Sequence, residues 1–141
     1  MADYDGDGDL DVYVCMYHDG TTGLSENLLF NNDGTGHFTD VTDVAGVGNG
    51  LQHSFQGVWF DENDDGLLDL WVINDRLVFP NALYHNMGDG SFVDVAPDLN
   101  FAQGIFAMTA TLGDPDNDGD MEFFCTNVED QPNVMMDNVG G

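Results

Sequence analysis

Basic residues are almost missing from this chain. Among 141 residues, Arg76 stands alone against 27 aspartates and glutamates, for a formal net charge of −26. Nothing here could neutralise phosphates, so nucleic acid is excluded as a partner. Anionic membrane surfaces are disfavoured for the same reason. No apolar run is long enough to span a bilayer, so no membrane insertion is expected. Met1 is not followed by a basic-then-apolar leader, and any signal peptide is expected upstream. Cysteine is scarce as well. Cys15 and Cys125 lack metal-ligand spacing, and their offsets within the repeat described below place them on opposite sheet faces. Buried free thiols are the expectation. The three serines, Ser25, Ser54 and Ser91, stand in no nucleophile elbow. Helical periodicity does not persist beyond a turn.

Aspartate, asparagine and glycine are abundant, and they are patterned. Asp3-Tyr4-Asp5-Gly6-Asp7-Gly8-Asp9-Leu10-Asp11 sets side-chain oxygens at positions 1, 3, 5 and 9 of a nine-residue loop, with glycine at position 6. Asp61 to Asp69 repeats it with Asn63 at position 3, and Asp114 to Glu122 repeats it with glutamate at position 9. Fifteen of the 27 acidic residues lie in these three loops. Ca²⁺ takes roughly six to eight hard oxygen ligands in a forgiving geometry. Alternate residues of a curled loop supply carboxylates, and the position-7 carbonyl adds a backbone oxygen. The ligand sets expected from the spacing are Asp3, Asp5, Asp7, Asp9 (carbonyl) and Asp11, then Asp61, Asn63, Asp65, Leu67 (carbonyl) and Asp69. The third is Asp114, Asp116, Asp118, Asp120 (carbonyl) and Glu122. About three Ca²⁺ per chain are expected, leaving a net charge of about −20. An EF-hand is excluded, because position 12 is Val14, Val72 or Cys125 rather than glutamate and the flanks read as strands.

A second motif runs in phase with the loops. Asn27 to Val41 matches Asn81 to Val95 position by position, and a third copy starts at Asn133. The loops are spaced 58 and 53 residues apart. The most complete period reads as four strands: 53–60, 67–74, 82–86 and 91–95. In the second of these, Leu68, Leu70 and Val72 face one way and Trp71 and Ile73 the other, as in a sheet covered on both faces. The other copies read as strands at 10–17, 28–31 and 37–41, then 120–127 and 134–137. The fold expected is all-β: four-stranded antiparallel propeller blades, about two and a half of them in this chain. The units are 1–44 (partial blade, first loop), 45–98 (complete blade, second loop) and 99–141 (partial blade, third loop). Such a chain reads as part of a longer protein.

The combination DYDGDGDLDVYV and NLLFNNDGTGHFTDVTDVAGV resembles the FG-GAP/VCBS repeats of integrin-α-type propellers, within the ASPIC/UnbV and cartilage-acidic-protein group. The resemblance implies a closed propeller in the parent, with Ca²⁺ between the first two strands of a blade at the residues named above. Glu122 departs from the usual aspartate by one methylene, and Asn63 lowers the charge of its site.

Catalysis is not expected, since nearly every carboxylate cluster is already assigned to a loop. His18, His37, His53 and His85 occupy non-equivalent repeat positions and read as surface or interface residues. The polar-aromatic stretch Gln52 to Gln56 is the one other candidate contact for a ligand near the propeller axis. The function expected is a calcium-binding extracellular or cell-surface module for adhesion or ligand binding. Its partners would be a protein or carbohydrate ligand and the remaining blades of its parent. The alternative is the propeller portion of a secreted polysaccharide lyase or hydrolase.

Overall fold

The computed structural model describes residues 1–17, 25–119, 121–128 and 130–136. Among the described residues, ten strands form three antiparallel sheets. The first contains β1 (Val12–Val14), β2 (Leu28–Asn32) and β3 (Phe38–Asp40). The second contains β4 (Ser54–Phe60), β5 (Asp69–Asn74), β6 (Ala82–Asn86) and β7 (Phe92–Asp94). The third contains β8 (Ala107–Gly113), β9 (Glu122–Asn127) and β10 (Val134–Met136). The one helix among the described residues, α1 (Thr42–Ala45), is a single turn closed by Gly46 at φ 77°. No helix among them is long and apolar enough to cross a membrane.

Each sheet is a meander, and the three repeat in detail. Phe60 pairs with Asp69 and Gly113 with Glu122 across their loops. An isolated bridge between Ala2 and Asp11 is the same pair in the first sheet, a one-residue stub of its opening strand. A bulge falls between Ser54 and Gln56 in β4 and between Ala107 and Thr109 in β8, the same repeat position. Consecutive sheets touch through the bridges Tyr17–His53 and Asp75–Phe106, again at equivalent positions. The expected first strand, 10–17, shrinks to β1 because only β2 pairs with it, over the three positions at which β6 pairs with β5, while the opening strand is a one-residue stub.

Burial explains the stacking. Every residue of β5 is buried, and its two faces enter different cores. Leu70 and Val72 pack with Tyr4, Leu29, Val47 and Tyr84, between the first and second sheets. Trp71 and Ile73 pack with Phe60, Phe101, Phe123 and Cys125, between the second and third. Each such side chain contributes about 1.5–3 kcal/mol by leaving water. A sheet apolar on both faces is stable only between two others, which is the geometry of neighbouring blades.

The asparagine that opens the second motif has a clear structural task. Asn27, Asn81 and Asn133 each accept the backbone amide at the end of the second strand of their own sheet: Met16, Asn74 and Asn127, at 2.8, 2.9 and 3.0 Å. Cys15 and Cys125 are free, and burial pushes both thiols up to about 11. The stretch Gln52 to Gln56 is engaged between sheets. The Ser54 hydroxyl joins Asn27, Asn49 and Asn74, and Gln56 bonds Thr109 and Ala110 on β8.

Candidate metal centres

All three loops sit at one edge of the stack, between the first two strands of a sheet, or the stub and first strand in the opening one. The turn requires positive φ at two positions. Position 6 is Gly8, Gly66 and Gly119, at φ 98°, 87° and 105°. Position 4 is Gly6, Asp64 and Asn117, at φ 75°, 60° and 63°. Glycine, aspartate and asparagine are the residues that adopt this conformation at least cost. Position 4 was not singled out by the spacing argument, although its residue types carry the signal.

In the first loop, carboxylate oxygens of Asp3, Asp5 and Asp11 all lie within 4.8 Å of one another. The loop is closed by the Gly8 amide donating to Asp3 at 3.0 Å and the Asp9 amide donating to Asp7 at 2.9 Å. One Asp3 oxygen is buried without a hydrogen-bond partner among the described residues. Asp11 is 1% exposed and accepts the Tyr4 and Asn32 amides at 3.2 and 2.9 Å. Asp7 stays at the exposed rim, and the Asp9 side chain lies against Gly34 of the following hairpin.

The third loop gathers Asp114, Asp116 and Glu122 in the same way. The Asp118 and Gly119 amides both donate to Asp114 at 3.2 Å. Asp120 lies outside the described residues. Glu122 is 4% exposed, and neither of its carboxylate oxygens has a hydrogen-bond partner among the described residues.

The second loop gathers a different set. Asp61 accepts the Asp65 and Gly66 amides at 3.1 and 2.8 Å, and Asp65 accepts the Leu67 amide at 2.8 Å. Asn63 bonds Asp65, and the Leu67 side chain packs on Gly88. The cluster within ligand distance is Glu62, Asp69 and His85. Sequence reasoning passed over Glu62 and His85. The available signal was that His85 replaces Asn31 of the first hairpin, whose side chain donates to Asp5 at 2.7 Å.

Electrostatically, the position-9 carboxylates behave alike. Burial raises the pKa of Asp11, Asp69 and Glu122, and neighbouring carboxylates add to each shift. Amides of Asn32 and Tyr4 oppose it at Asp11, and those of Asn86 and Glu62 at Asp69. Glu62 is raised too, by burial and then by Asp69. Carboxylates so placed resist ionisation unless a cation joins them.

Comparison with known sequences decides the family. The FG-GAP-like repeat model matches residues 3–72 and, again, residues 61–125. This chain belongs to the FG-GAP-like repeat family. Each match begins at the first aspartate of a loop, so the family's unit starts where the loop does. The FG-GAP chain is similar to cartilage acidic protein 1 of Mus musculus, 33% identical over 105 residues, which is 72% of this chain. It is similar to the Xenopus tropicalis protein of that name at 31% over the same length. The chain spans 16% of the length of these relatives.

Proposed function

We propose that this FG-GAP segment binds calcium in its three loops, about three ions per chain, and serves in adhesion or ligand binding outside the cell rather than in catalysis. The observation that carries the calcium reading is Glu122, a buried carboxylate beside Asp114 and Asp116 whose two oxygens have no partner among the described residues. Burying an unpaired carboxylate is costly, and a hard cation removes that cost. The half-open cluster of Asp3, Asp5 and Asp11 offers the same donors, with one buried Asp3 oxygen in want of a partner. The donor set is almost wholly oxygen, which suits Ca²⁺. The residues that would hold the ions are the positions 1, 3, 5 and 9 of each loop with the position-7 carbonyls.

Bound calcium would neutralise each loop and pin the connection between two strands, so its role is structural. Loops of this type suit affinities of ~10⁻⁴–10⁻³ M, matched to extracellular calcium. That match supports the location. The binding role is supported by the placement of the acidic clusters in strand connections, with the partner being a protein or carbohydrate together with further blades. A calorimetric Ca²⁺ titration followed by circular dichroism tests the proposal. Uptake of about three ions with gain of β signal supports it. No uptake at millimolar calcium overturns it, and polysaccharide turnover by the parent protein would replace the adhesion role with an enzymatic one.

A further inference from the structure

The middle loop differs from the other two in one chemical respect: an imidazole faces it. His85 stands on β6, beside Asn86, and its side chain is 23% exposed. Its Nδ1 lies 3.4 Å from Asp69 Oδ1 and 4.0 Å from Glu62 Oε2. Its Nε2 lies 3.8 Å from Asp65 Oδ2. Asp69 is fully buried, so this carboxylate is held in place rather than swinging in solvent. At the equivalent site of the first sheet, Asn31 and Asp5 form an ordinary amide–carboxylate hydrogen bond. In the middle sheet that pair has become His85 and Asn63, so the loop gives up an anionic oxygen and gains a nitrogen donor.

We propose that Glu62, Asp69 and His85 form a divalent transition-metal site, of which Zn²⁺ is the type ion. Ca²⁺ takes oxygen ligands, whereas imidazole nitrogen with carboxylates is the donor set of Zn²⁺ and its neighbours. Tetrahedral zinc with bonds near 2.0–2.1 Å separates its donors by about 3.4 Å. The Nδ1–Asp69 distance has that value already, and the Glu62 carboxylate must close from 4.0 Å by about 0.6 Å, within reach of one χ rotation. With Nδ1 on the metal, Nε2–H faces Asp65 Oδ2 at 3.8 Å, and a small approach of that carboxylate would complete the carboxylate–histidine arrangement that orients metal-bound imidazoles. Water completes the coordination. Asp69 is shared with the calcium set of its loop, so the two ions exclude each other there.

The assignment goes beyond the calcium reading and is measured without calcium. The full chain is titrated with Zn²⁺ by calorimetry and with Co²⁺ by visible absorption, as wild type, H85N and E62Q. Asparagine is the residue the first hairpin carries at this position, so H85N is expected to fold. Wild type should take up one Zn²⁺ and develop the bands of a low-coordinate cobalt site. H85N should lose those bands and weaken zinc binding more than tenfold, by about the margin that metal sites lose with a supporting group or more. E62Q should weaken it less. Zn²⁺ should also lower the calcium stoichiometry by one in wild type and leave it unchanged in H85N. Equal zinc affinity in wild type and H85N, or no uptake by wild type, overturns the site. If wild type binds zinc but no variant binds calcium, the calcium reading fails and this one stands.

Discussion

Asn86 joins two sheets, and its removal is the sharpest test of the stacked arrangement. Its side chain is 3% exposed and meets three backbone partners. Nδ2 donates to the Tyr4 carbonyl of the first loop at 2.9 Å and to the Leu68 carbonyl of the second at 3.1 Å, while Oδ1 accepts the Gly88 amide at 3.0 Å. Its own amide donates to Asp69 at 2.7 Å, a bond that Asn86→Ala retains. The substitution therefore strands one buried and two part-buried backbone groups. An orphaned buried group costs about 1–3 kcal/mol and a part-buried one nearer 1, so a loss of about 3–5 kcal/mol is expected. Asn32→Ala is the internal control. Asn32 makes the corresponding bonds to Leu10 and Gly34 at exposed positions and reaches no neighbouring sheet, so about 1 kcal/mol or less is expected. Urea unfolding followed by circular dichroism gives both values. Tryptophan fluorescence adds a local readout, because Trp59 stacks on Tyr4 with ring centroids 6.0 Å apart while Trp71 lies in the other core. Equal losses for the two variants would refute the inter-sheet role of Asn86.

Three further outcomes are expected. Asp65→Ala removes a position-5 carboxylate and should lower calcium stoichiometry by one in a calorimetric titration, whereas unchanged stoichiometry would mean the second loop takes no calcium. Acidification from neutral to about pH 5 should raise the stability of the metal-free chain, because Asp11, Asp69, Glu62 and Glu122 have raised carboxyl pKa values and the folded chain takes up their protons before the unfolded chain does. With calcium the sign should reverse, since protons then displace the metal, and chemical denaturation showing one slope in both buffers would contradict this. Pro115→Ala restores a donor at position 2 of the third loop and should favour the metal-free chain over the loaded one by about 1 kcal/mol, as read from paired thermal melts. No difference between the two conditions would count against it.

Much of this architecture was legible because repeats expose their own scaffold. The alternation of Leu70, Trp71, Val72 and Ile73 named a strand covered on both faces, and the structure divides those residues between two cores. The loops and hairpins recurred in phase, which placed the four strands of the second sheet to within two residues. What stayed hidden was side-chain reach across the chain. Asn31 and His85 occupy one repeat position, and their contact with the loop depends on how far β2 and β6 bring the hairpin toward it. Spacing within a loop cannot report that. Nor could it show that Glu62 and His85 meet beside Asp69, so that the cluster in the second loop assembles from these three.

The two motifs travel together because position 9 ties them. In the first and second loops the position-9 aspartate accepts one amide from position 2 of its own loop, Tyr4 or Glu62, and one from the hairpin asparagine, Asn32 or Asn86. That carboxylate is a clasp between loop and hairpin, complete before any ion arrives. The third loop breaks the clasp at two points. Pro115 occupies position 2 and has no N–H to give. Glu122 replaces aspartate, and its longer arm carries the carboxylate away from the backbone and toward Asp114 and Asp116. Among the described residues the Glu122 carboxylate has no amide partner of the kind that opposes the burial shift at Asp11 and Asp69. The third loop has therefore exchanged internal hydrogen bonds for a demand that a cation must meet. On the calcium reading it is the loop whose closure depends most on metal, which is why restoring a single amide at position 115 separates the loaded from the empty chain.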